Sequence, residues 1–121
     1  MNYMIAEPDK KSSYELKRSL DDYEKMNFKG SFANFEIAKN SICKEPPDLV
    51  FIRMGTAGLN AYELLREIRE KKLFTKVIFI SIHEEDAVDA FECEADGFLL
   101  APVNGEKMKH LLLGFMDKKS V

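Results

Sequence analysis

Four short apolar segments without regular polar positions limit most strongly how this chain can fold. They lie at residues 3–6, 49–52, 76–82 and 97–100. Strands that are apolar on both faces belong to the centre of a parallel sheet with helices on each side. A fifth segment, residues 28–34, alternates in polarity and contains Lys29 and Gly30, which favours a weaker strand at the sheet edge.

Amphipathic helical patterns separate the apolar segments. Ser12 and Glu15 form a Ser-x-x-Glu capping signature at the first helix, and Asn60 and Glu63 occupy the corresponding positions at the third. Further patterns with one apolar stripe lie at residues 35–43, 84–95 and 105–116. Five alternations of strand and helix predict a three-layer, flavodoxin-like α/β fold with a parallel five-stranded sheet in the order 2-1-3-4-5.

Length and charge favour one compact domain over residues 1–121. The 121 residues include 21 acidic and 18 basic side chains, for a net charge of −3, which argues against direct binding to nucleic acid or to an anionic membrane. No apolar run approaches the roughly 20 residues that cross a bilayer, so we expect a cytoplasmic protein. Cys43 and Cys93 stand alone without Cys/His spacing, which favours reduced thiols over a disulfide or a metal site.

Polar side chains follow the predicted strands at the edge where ligand sites of this fold open. The carboxyl ends of the strands converge there, and the residues that follow them are 7–9, 53–58, 81–83 and 101–102. Arg53 ends the third strand, which is an unusual place for an arginine. A guanidinium stays protonated and only donates hydrogen bonds, so this position carries a permanent cation.

Three segments and their spacing are typical of one known family. They are "MIAEPDKK", "PDLVFIRMGTAGLNAYELLREIR" and "KVIFISIHEEDAVDAFECEADGFLLAPV". On these segments the chain resembles the response regulator receiver domain, the CheY-like family, over almost its whole length. The third segment is similar to receivers of LytTR-type transcription regulators, where Ala-Phe-Glu precedes Asp-Tyr-Leu-Leu-Lys-Pro. The resemblance implies a signal-transduction module in transcription regulation and leaves open whether an output domain follows residue 121.

The positions that carry the chemistry of a receiver differ in this chain. A receiver uses two acids after strand 1, an aspartate nucleophile ending strand 3, a Ser or Thr after strand 4 and a lysine before proline after strand 5. The matching residues here are Glu7, Pro8, Arg53, Ser81 and Ala101. Aspartyl phosphorylation needs a carboxylate nucleophile and carboxylate ligands for Mg²⁺. The departures therefore predict a pseudo-receiver that is not an enzyme and holds neither a metal nor a cofactor.

Arg53 has two possible roles at the end of its strand. Its guanidinium could form a bidentate ion pair with Glu7 or Asp9, replacing the metal and the lysine of a receiver, or it could extend outward to solvent. We favour the ion pair. Receivers commonly hold the equivalent Lys-Pro bond cis, so the resemblance also predicts a cis bond between Ala101 and Pro102.

Two classes of function remain open. One is a phosphorylation-independent signalling module that acts through protein contacts. The other is a flavodoxin-like domain that binds a small anion or a nucleotide through Arg53. Ser81 and His83 lie at the crevice without a third group that completes a catalytic set, so we favour the module. Ser81 is interpreted as a serine that caps a loop, and residues 55–58 as a turn rather than a phosphate-binding loop.

In receivers the face formed by helix 4, strand 5 and helix 5 contacts partners, and the matching residues here are 84–112. Its charged residues are Glu84, Glu85, Asp86, Asp89, Glu92, Glu94, Glu106, Lys107 and Lys109. Charged residues among apolar ones are compatible with a contact that has a polar rim. The resemblance thus predicts a constitutive protein partner or a two-fold homodimer through residues 84–112, and the alternative is a solvated face on a monomer.

Overall fold

The computed structural model describes residues 1–117, so residues 118–121 of the predicted domain lie outside the described residues. Over the described residues, five strands alternate with five helices. In chain order the elements are β1 (Asn2–Ala6), α1 (Lys10–Leu20), β2 (Asn27–Phe32), α2 (Phe35–Lys44), β3 (Leu49–Arg53), α3 (Ala61–Glu70), β4 (Lys76–Ser81), α4 (Asp86–Glu92), β5 (Gly97–Leu100) and α5 (Gly105–Asp117).

The strands form one parallel sheet in the order β2-β1-β3-β4-β5, which confirms the predicted flavodoxin-like fold. In the pairing of β1 with β3, Ala6 lies opposite Ile52, and in the pairing of β3 with β4, Arg53 lies opposite Ile80. The carboxyl ends of β1, β3 and β4 therefore lie at the same edge of the sheet. The chain reverses its direction of winding between β1 and β3, which is where ligand sites of this fold open.

The strand β2 lies at the sheet edge, as the sequence predicted, but it covers Asn27–Phe32 rather than residues 28–34. Its pairing with β1 shifts register between Tyr3 and Ile5. Gly30 lies at this irregularity with a φ of +149°, and a Cβ there would come within 2.7 Å of the Phe32 ring. The positive φ favours glycine at position 30, and the irregular edge resists pairing with the strand of another molecule.

The sheet separates two apolar layers, and alternate residues of each central strand enter opposite layers. The layer under α2, α3 and α4 takes the strand residues Met4, Ala6, Val50, Ile52, Val77 and Phe79. The layer under α1 and α5 takes the strand residues Tyr3, Ile5, Leu49, Phe51, Ile78, Ile80 and Leu99. Burial on both faces explains why these segments are apolar without alternation.

The caps of two helices test the predicted helix starts. The side chain of Asn60 accepts a hydrogen bond from the Glu63 amide at 3.1 Å, so the predicted cap of α3 is confirmed. The predicted Ser12 cap of α1 is wrong, because α1 begins one turn earlier and Asp9 is its N-cap. The Asp9 carboxylate accepts from the Lys11 amide at 3.3 Å and from the Ser12 hydroxyl at 2.8 Å, and an acceptor with two oxygens satisfies both donors.

Candidate functional site

Three of the residues singled out in the sequence lie on the same side of the sheet. Glu7 is two residues after Ile5, Arg53 is two after Phe51 and Ala101 is two after Leu99, and these three apolar residues all face α1 and α5. Glu7, Arg53 and Ala101 also line one pocket with Leu16 of α1. Ser81, in contrast, is two residues after Phe79 and lies toward α4.

Arg53 contacts Glu7 directly. The Nη1 atom of Arg53 donates to the Oε1 atom of Glu7 at 2.8 Å, and the two side chains are 16% and 6% exposed. The predicted bidentate geometry is not what the structure has, since this is a single hydrogen bond. Asp9, the other predicted partner, lies outside ion-pair distance because its carboxylate caps α1. The guanidinium is therefore turned into the protein and pairs with the more buried of the two acids.

Burial decides the protonation behaviour of Glu7. Burial, together with the nearby negative charge of Asp9, raises the pKa of the Glu7 carboxyl above its ordinary value, although the Asp9 amide and the Arg53 guanidinium lower it. The Asp9 amide donates to Glu7 Oε2 at 3.3 Å, so each carboxylate oxygen of Glu7 has one donor. The two donors thus offset only part of the hydration that the ionised Glu7 loses on burial.

Asp9 behaves in the opposite way. The hydroxyl of Ser12 and the amide of Lys11 donate to its exposed carboxylate and hold its pKa below the ordinary value. Asp9 therefore remains a carboxylate at the N-terminus of α1, where the helix dipole also favours negative charge. Glu7 and Asp9 therefore have different structural roles. Glu7 pairs with Arg53, and Asp9 is the N-cap of α1.

Ser81 at the end of β4 is held by the following loop. Its hydroxyl donates to the Asp86 carboxylate at 2.6 Å and accepts from the His83 amide at 3.0 Å. Both contacts are local, so they tie the end of β4 to the first residue of α4. This is the loop-capping role predicted for Ser81, and Asp86, which the sequence analysis did not assign to the site, supplies the acceptor.

The loop from β5 to α5 closes the site on its other side. The bond between Ala101 and Pro102 is cis, and the Ala101 amide donates to the Ser81 carbonyl at 2.7 Å. From the first turn of α5, Lys107 Nζ donates to the carbonyls of Leu100 and Pro102 at 3.0 and 3.2 Å. Lys107 therefore stabilises the loop, a role that the sequence analysis missed when it assigned this lysine only to the outer face.

A comparison with protein families decides the family of this chain. The family model described as "Response regulator receiver domain" matches residues 4–113. The chain belongs to this family. It is thus a receiver domain, a signal-transduction module, and its five strands and five helices have the topology of that family.

Two curated relatives are longer proteins, of which only a part aligns with this chain. The positive alginate biosynthesis regulatory protein of Pseudomonas aeruginosa is 30% identical over 115 residues, which make up 93% of this chain and 46% of that protein. The sensory transduction protein LytT of Bacillus subtilis is 27% identical over 100 residues, which make up 83% of this chain and 40% of that protein. The chain thus spans less than half the length of these two relatives.

A solved structure supports the same fold. The response regulatory domain of protein mrkE from Klebsiella pneumoniae superposes with a TM-score of 0.86 at 23% identity, covering 98% of this chain and 97% of that one. At this identity the likeness concerns the path of the chain and not the residues of the site. What distinguishes this receiver domain must therefore be argued from its own side chains.

One pocket lies beside the ion pair and is lined by three of the receiver positions, Glu7, Arg53 and Ala101. It has a volume of about 180 Å³. Its polar lining residues are Glu7, Ser12, Glu15 and Arg53, and its apolar ones are Leu16, Ile80, Ile82, Ala101, Pro102 and Val103. This volume is below the roughly 300 Å³ at which pockets for drug-sized ligands begin. A nucleotide, one of the ligands considered from the sequence, is thus too large to be buried there.

The described part of the chain lacks two features that would suggest another function. Among residues 1–117, no group of three His, Cys, Asp or Glu side chains is arranged to hold a metal ion. No helix in that range combines the length and the apolarity that a membrane crossing requires. Cys43 and Cys93 are both free and partly buried.

Proposed function

We propose that this chain is a pseudo-receiver, a non-catalytic signalling module whose site is held by the Arg53–Glu7 ion pair instead of by Mg²⁺ and an aspartyl phosphate. The observation that carries the proposal is the hydrogen bond from Arg53 to Glu7 at 2.8 Å with both side chains mostly buried. A guanidinium has no lone pair with which to attack phosphorus. It also occupies, with its positive charge, the region between β1 and β3 where a divalent metal would have to lie.

Two neighbouring residues support the same proposal. Pro8 offers no side-chain oxygen to a metal, and Ala101 has no cation to neutralise a transferred phosphoryl group. Ser81, the remaining receiver-type residue, already donates its hydroxyl to Asp86. The Ser81 hydroxyl thus already has an acceptor in Asp86, and it does not need a phosphoryl group to complete its hydrogen bonds.

We expect no phosphorylation of the purified domain. Incubated with acetyl phosphate and Mg²⁺, the protein should keep its intact mass, because position 53 has no nucleophile. Beryllofluoride with Mg²⁺, and Mg²⁺ or Ca²⁺ alone at millimolar concentration, should leave its amide chemical shifts unchanged. A receiver domain that retains its aspartate serves as the positive control for the reagents. An acid-stable, base-labile gain of one phosphoryl group would contradict the proposal.

The variant Arg53→Asp tests whether an aspartate at position 53 is enough for phosphorylation when the other receiver residues are missing. On its own it should also stay unphosphorylated, because the metal acid and the lysine are still absent. The triple variant Pro8→Asp, Arg53→Asp, Ala101→Lys supplies all three groups and is the matched comparison. Phosphorylation of the single variant would mean that fewer groups suffice than the proposal requires.

The face that runs from α4 to α5, residues 84–112, is the proposed contact with another protein. Val88 and Phe91 lie three residues apart on α4 and are 61% and 85% exposed, so both project from one side of the helix. Acidic residues surround them. An exposed aromatic side chain inside a charged rim is the usual composition of an interface centre. We propose a constitutive contact here, with a second copy of the chain as the first candidate because two-fold homodimers are the commonest closed assembly.

Sedimentation of the domain at micromolar concentration tests the homodimer. We expect a dimer that Phe91→Asp converts to a monomer, because a carboxylate in the centre of the contact would be desolvated without a partner. Ile37→Asp is the control, since Ile37 is an apolar residue 51% exposed on α2, which packs on the β1–β2 side of the sheet. A wild-type protein that sediments as a monomer throughout the concentration range would exclude the homodimer and leave a different protein as the partner.

The length of the relatives suggests what the contact serves. The alginate biosynthesis regulatory protein and the sensory transduction protein LytT of Bacillus subtilis are each more than twice as long as the segment that aligns with this chain. We propose that this receiver domain acts in transcription regulation, either followed by an output domain or by binding a regulator made as a separate chain. The full open reading frame distinguishes these two arrangements directly.

A further inference from the structure

The pocket beside Arg53 has features of a binding site for a small molecule. It lies between α1 and the loop that joins β5 to α5, and the Arg53–Glu7 pair forms part of its wall. Ala101 lines the pocket on the loop side and projects only a methyl group toward it. A chain with a long side chain at position 101 would fill this space, so the cavity is a consequence of this sequence.

The size of the pocket limits the ligand. Its volume of about 180 Å³ is slightly larger than that of a cavity of roughly 150 Å³ that accepts benzene. A molecule of roughly six to ten non-hydrogen atoms therefore fits. The apolar part of the wall comes from aliphatic side chains: Leu16, Ile80, Ile82, Ala101, Pro102 and Val103. Such a wall favours a compact aliphatic group.

The polar part of the wall has both an unused donor and an unused acceptor. Arg53 donates only one hydrogen bond, to Glu7, among the described residues, although a guanidinium has five N–H groups. Glu15 makes no hydrogen bond and no ion pair within residues 1–117, and it is an exposed residue of α1 that lines the pocket. A ligand could therefore add an acceptor at Arg53 and a donor at Glu15 without breaking an existing contact.

The balance of charge selects between ligand classes. One cation, Arg53, and two carboxylates, Glu7 and Glu15, line the pocket. A simple anion would add to the excess of negative charge, and a simple cation would leave the remaining N–H groups of Arg53 without an acceptor. A zwitterion satisfies both ends and leaves the net charge unchanged.

We propose that this pocket binds a small aliphatic zwitterion, chemically an apolar α-amino acid, with its carboxylate on Arg53 and its ammonium group toward Glu15. The aliphatic side chain of the ligand packs between Ile80, Ile82 and Val103. Binding would join α1 to the β5–α5 loop across the ends of β1 and β3. The proposal does not depend on the absence of phosphorylation, which has its own test with acetyl phosphate.

Three probes that share one branched aliphatic body test the ligand class. They are leucine, 4-methylpentanoate, which lacks the ammonium group, and 3-methylbutylamine, which lacks the carboxylate. Followed by amide chemical shifts, leucine should bind saturably and shift residues of the pocket, and each truncated probe should bind at least about tenfold more weakly, because a charge-assisted hydrogen bond is lost. Equal affinity for leucine and 4-methylpentanoate would overturn the zwitterion, and no saturable binding of leucine at millimolar concentration would overturn the site.

Variants of single residues locate the two ends of the ligand. Glu15→Gln should weaken leucine binding about fivefold or more and leave 4-methylpentanoate binding unchanged, because only the ammonium contact is altered. Glu24→Gln is the matched control. Glu24 is exposed in the loop before β2, at the amino ends of the strands, whereas the pocket lies at their carboxyl ends. A loss of affinity for both probes in Glu15→Gln, or the same loss in Glu24→Gln, would contradict the assignment.

A larger side chain in the wall tests the pocket itself. Ala101→Leu should abolish leucine binding while thermal unfolding stays cooperative, because the new side chain occupies the ligand volume. Val103 lines the same pocket two residues further along the loop, so Val103→Phe should fill the same space. It replaces Ala101→Leu as the test if that variant does not fold. Unchanged leucine binding in a folded filled-pocket variant would show that the ligand lies elsewhere and would overturn the proposal.

Discussion

Replacing Phe51 with alanine is expected to lower the free energy of unfolding by about 4 kcal/mol, within the usual range for a fully buried aromatic residue. Phe51 is in the centre of β3 with 0% exposure, and its ring packs edge-on against Tyr3 with the centroids 6.1 Å apart. The substitution removes the ring and leaves a cavity among Ile5, Ile78 and Ile80, which belong to the same apolar layer. Urea denaturation followed by circular dichroism measures the loss.

Phe74→Ala is the matched control for this prediction. Both substitutions remove the same atoms, but Phe74 is 97% exposed and loses no packing. Its free energy of unfolding should stay within about 0.5 kcal/mol of the wild type. Similar effects of the two substitutions would mean that β3 does not lie at the centre of the sheet, which would contradict the fold.

The fold follows from the sequence because burial on both faces leaves a pattern that local sequence retains. The segments at residues 49–52 and 76–82 are apolar without alternation, and both became central strands. The first and last residues of the edge strand β2 were harder to predict, because it packs on fewer neighbours and its register shifts at Gly30. The irregularity is a matter of backbone conformation, a positive φ at Gly30, which no periodicity encodes.

The site could be predicted less completely than the fold. Arg53 was identified as the unusual residue, because its place at the end of β3 follows from the strand pattern alone. The choice between Glu7 and Asp9 as its partner could not be made from the sequence. It depends on where α1 begins, and α1 begins one turn earlier than Ser12 suggested, which uses the Asp9 carboxylate as a cap.

Contacts made by side chains from other elements account for the remaining omissions. Asp86 accepts from Ser81 and Lys107 donates to the β5–α5 loop, and both depend on how a helix is oriented against the sheet. A weak signal did exist for Lys107, since Asn104 three residues earlier is a typical helix cap and accepts from the Lys107 amide at 2.9 Å. That spacing places Lys107 in the first turn of α5, within reach of the preceding loop.

Replacing Arg53 with alanine is expected to lower the free energy of unfolding by about 3 kcal/mol at neutral pH, as is usual when one partner of a buried ion pair is removed. Glu7 is 6% exposed as a side chain and would keep only the Asp9 amide as a donor. Urea denaturation measures the loss. The exposed pair of Arg66 with Glu63 is the control, and Arg66→Ala should change the stability little, because solvent already screens that pair.

The dependence of this loss on pH distinguishes an unpaired charge from lost packing. The pKa of Glu7 is raised in the folded state, so an ionised Glu7 opposes folding above that pKa, and the cost disappears as the pH falls toward the ordinary value of the unfolded chain. Without Arg53 the folded pKa of Glu7 rises further. The difference between wild type and Arg53→Ala should therefore shrink as the pH falls from neutrality toward the ordinary pKa of a glutamate. The double variant Arg53→Met, Glu7→Gln should recover most of the stability, because it removes both charges together. A deficit that is independent of pH and persists in the double variant would mean that Arg53 stabilises the fold through its aliphatic stem and not through Glu7.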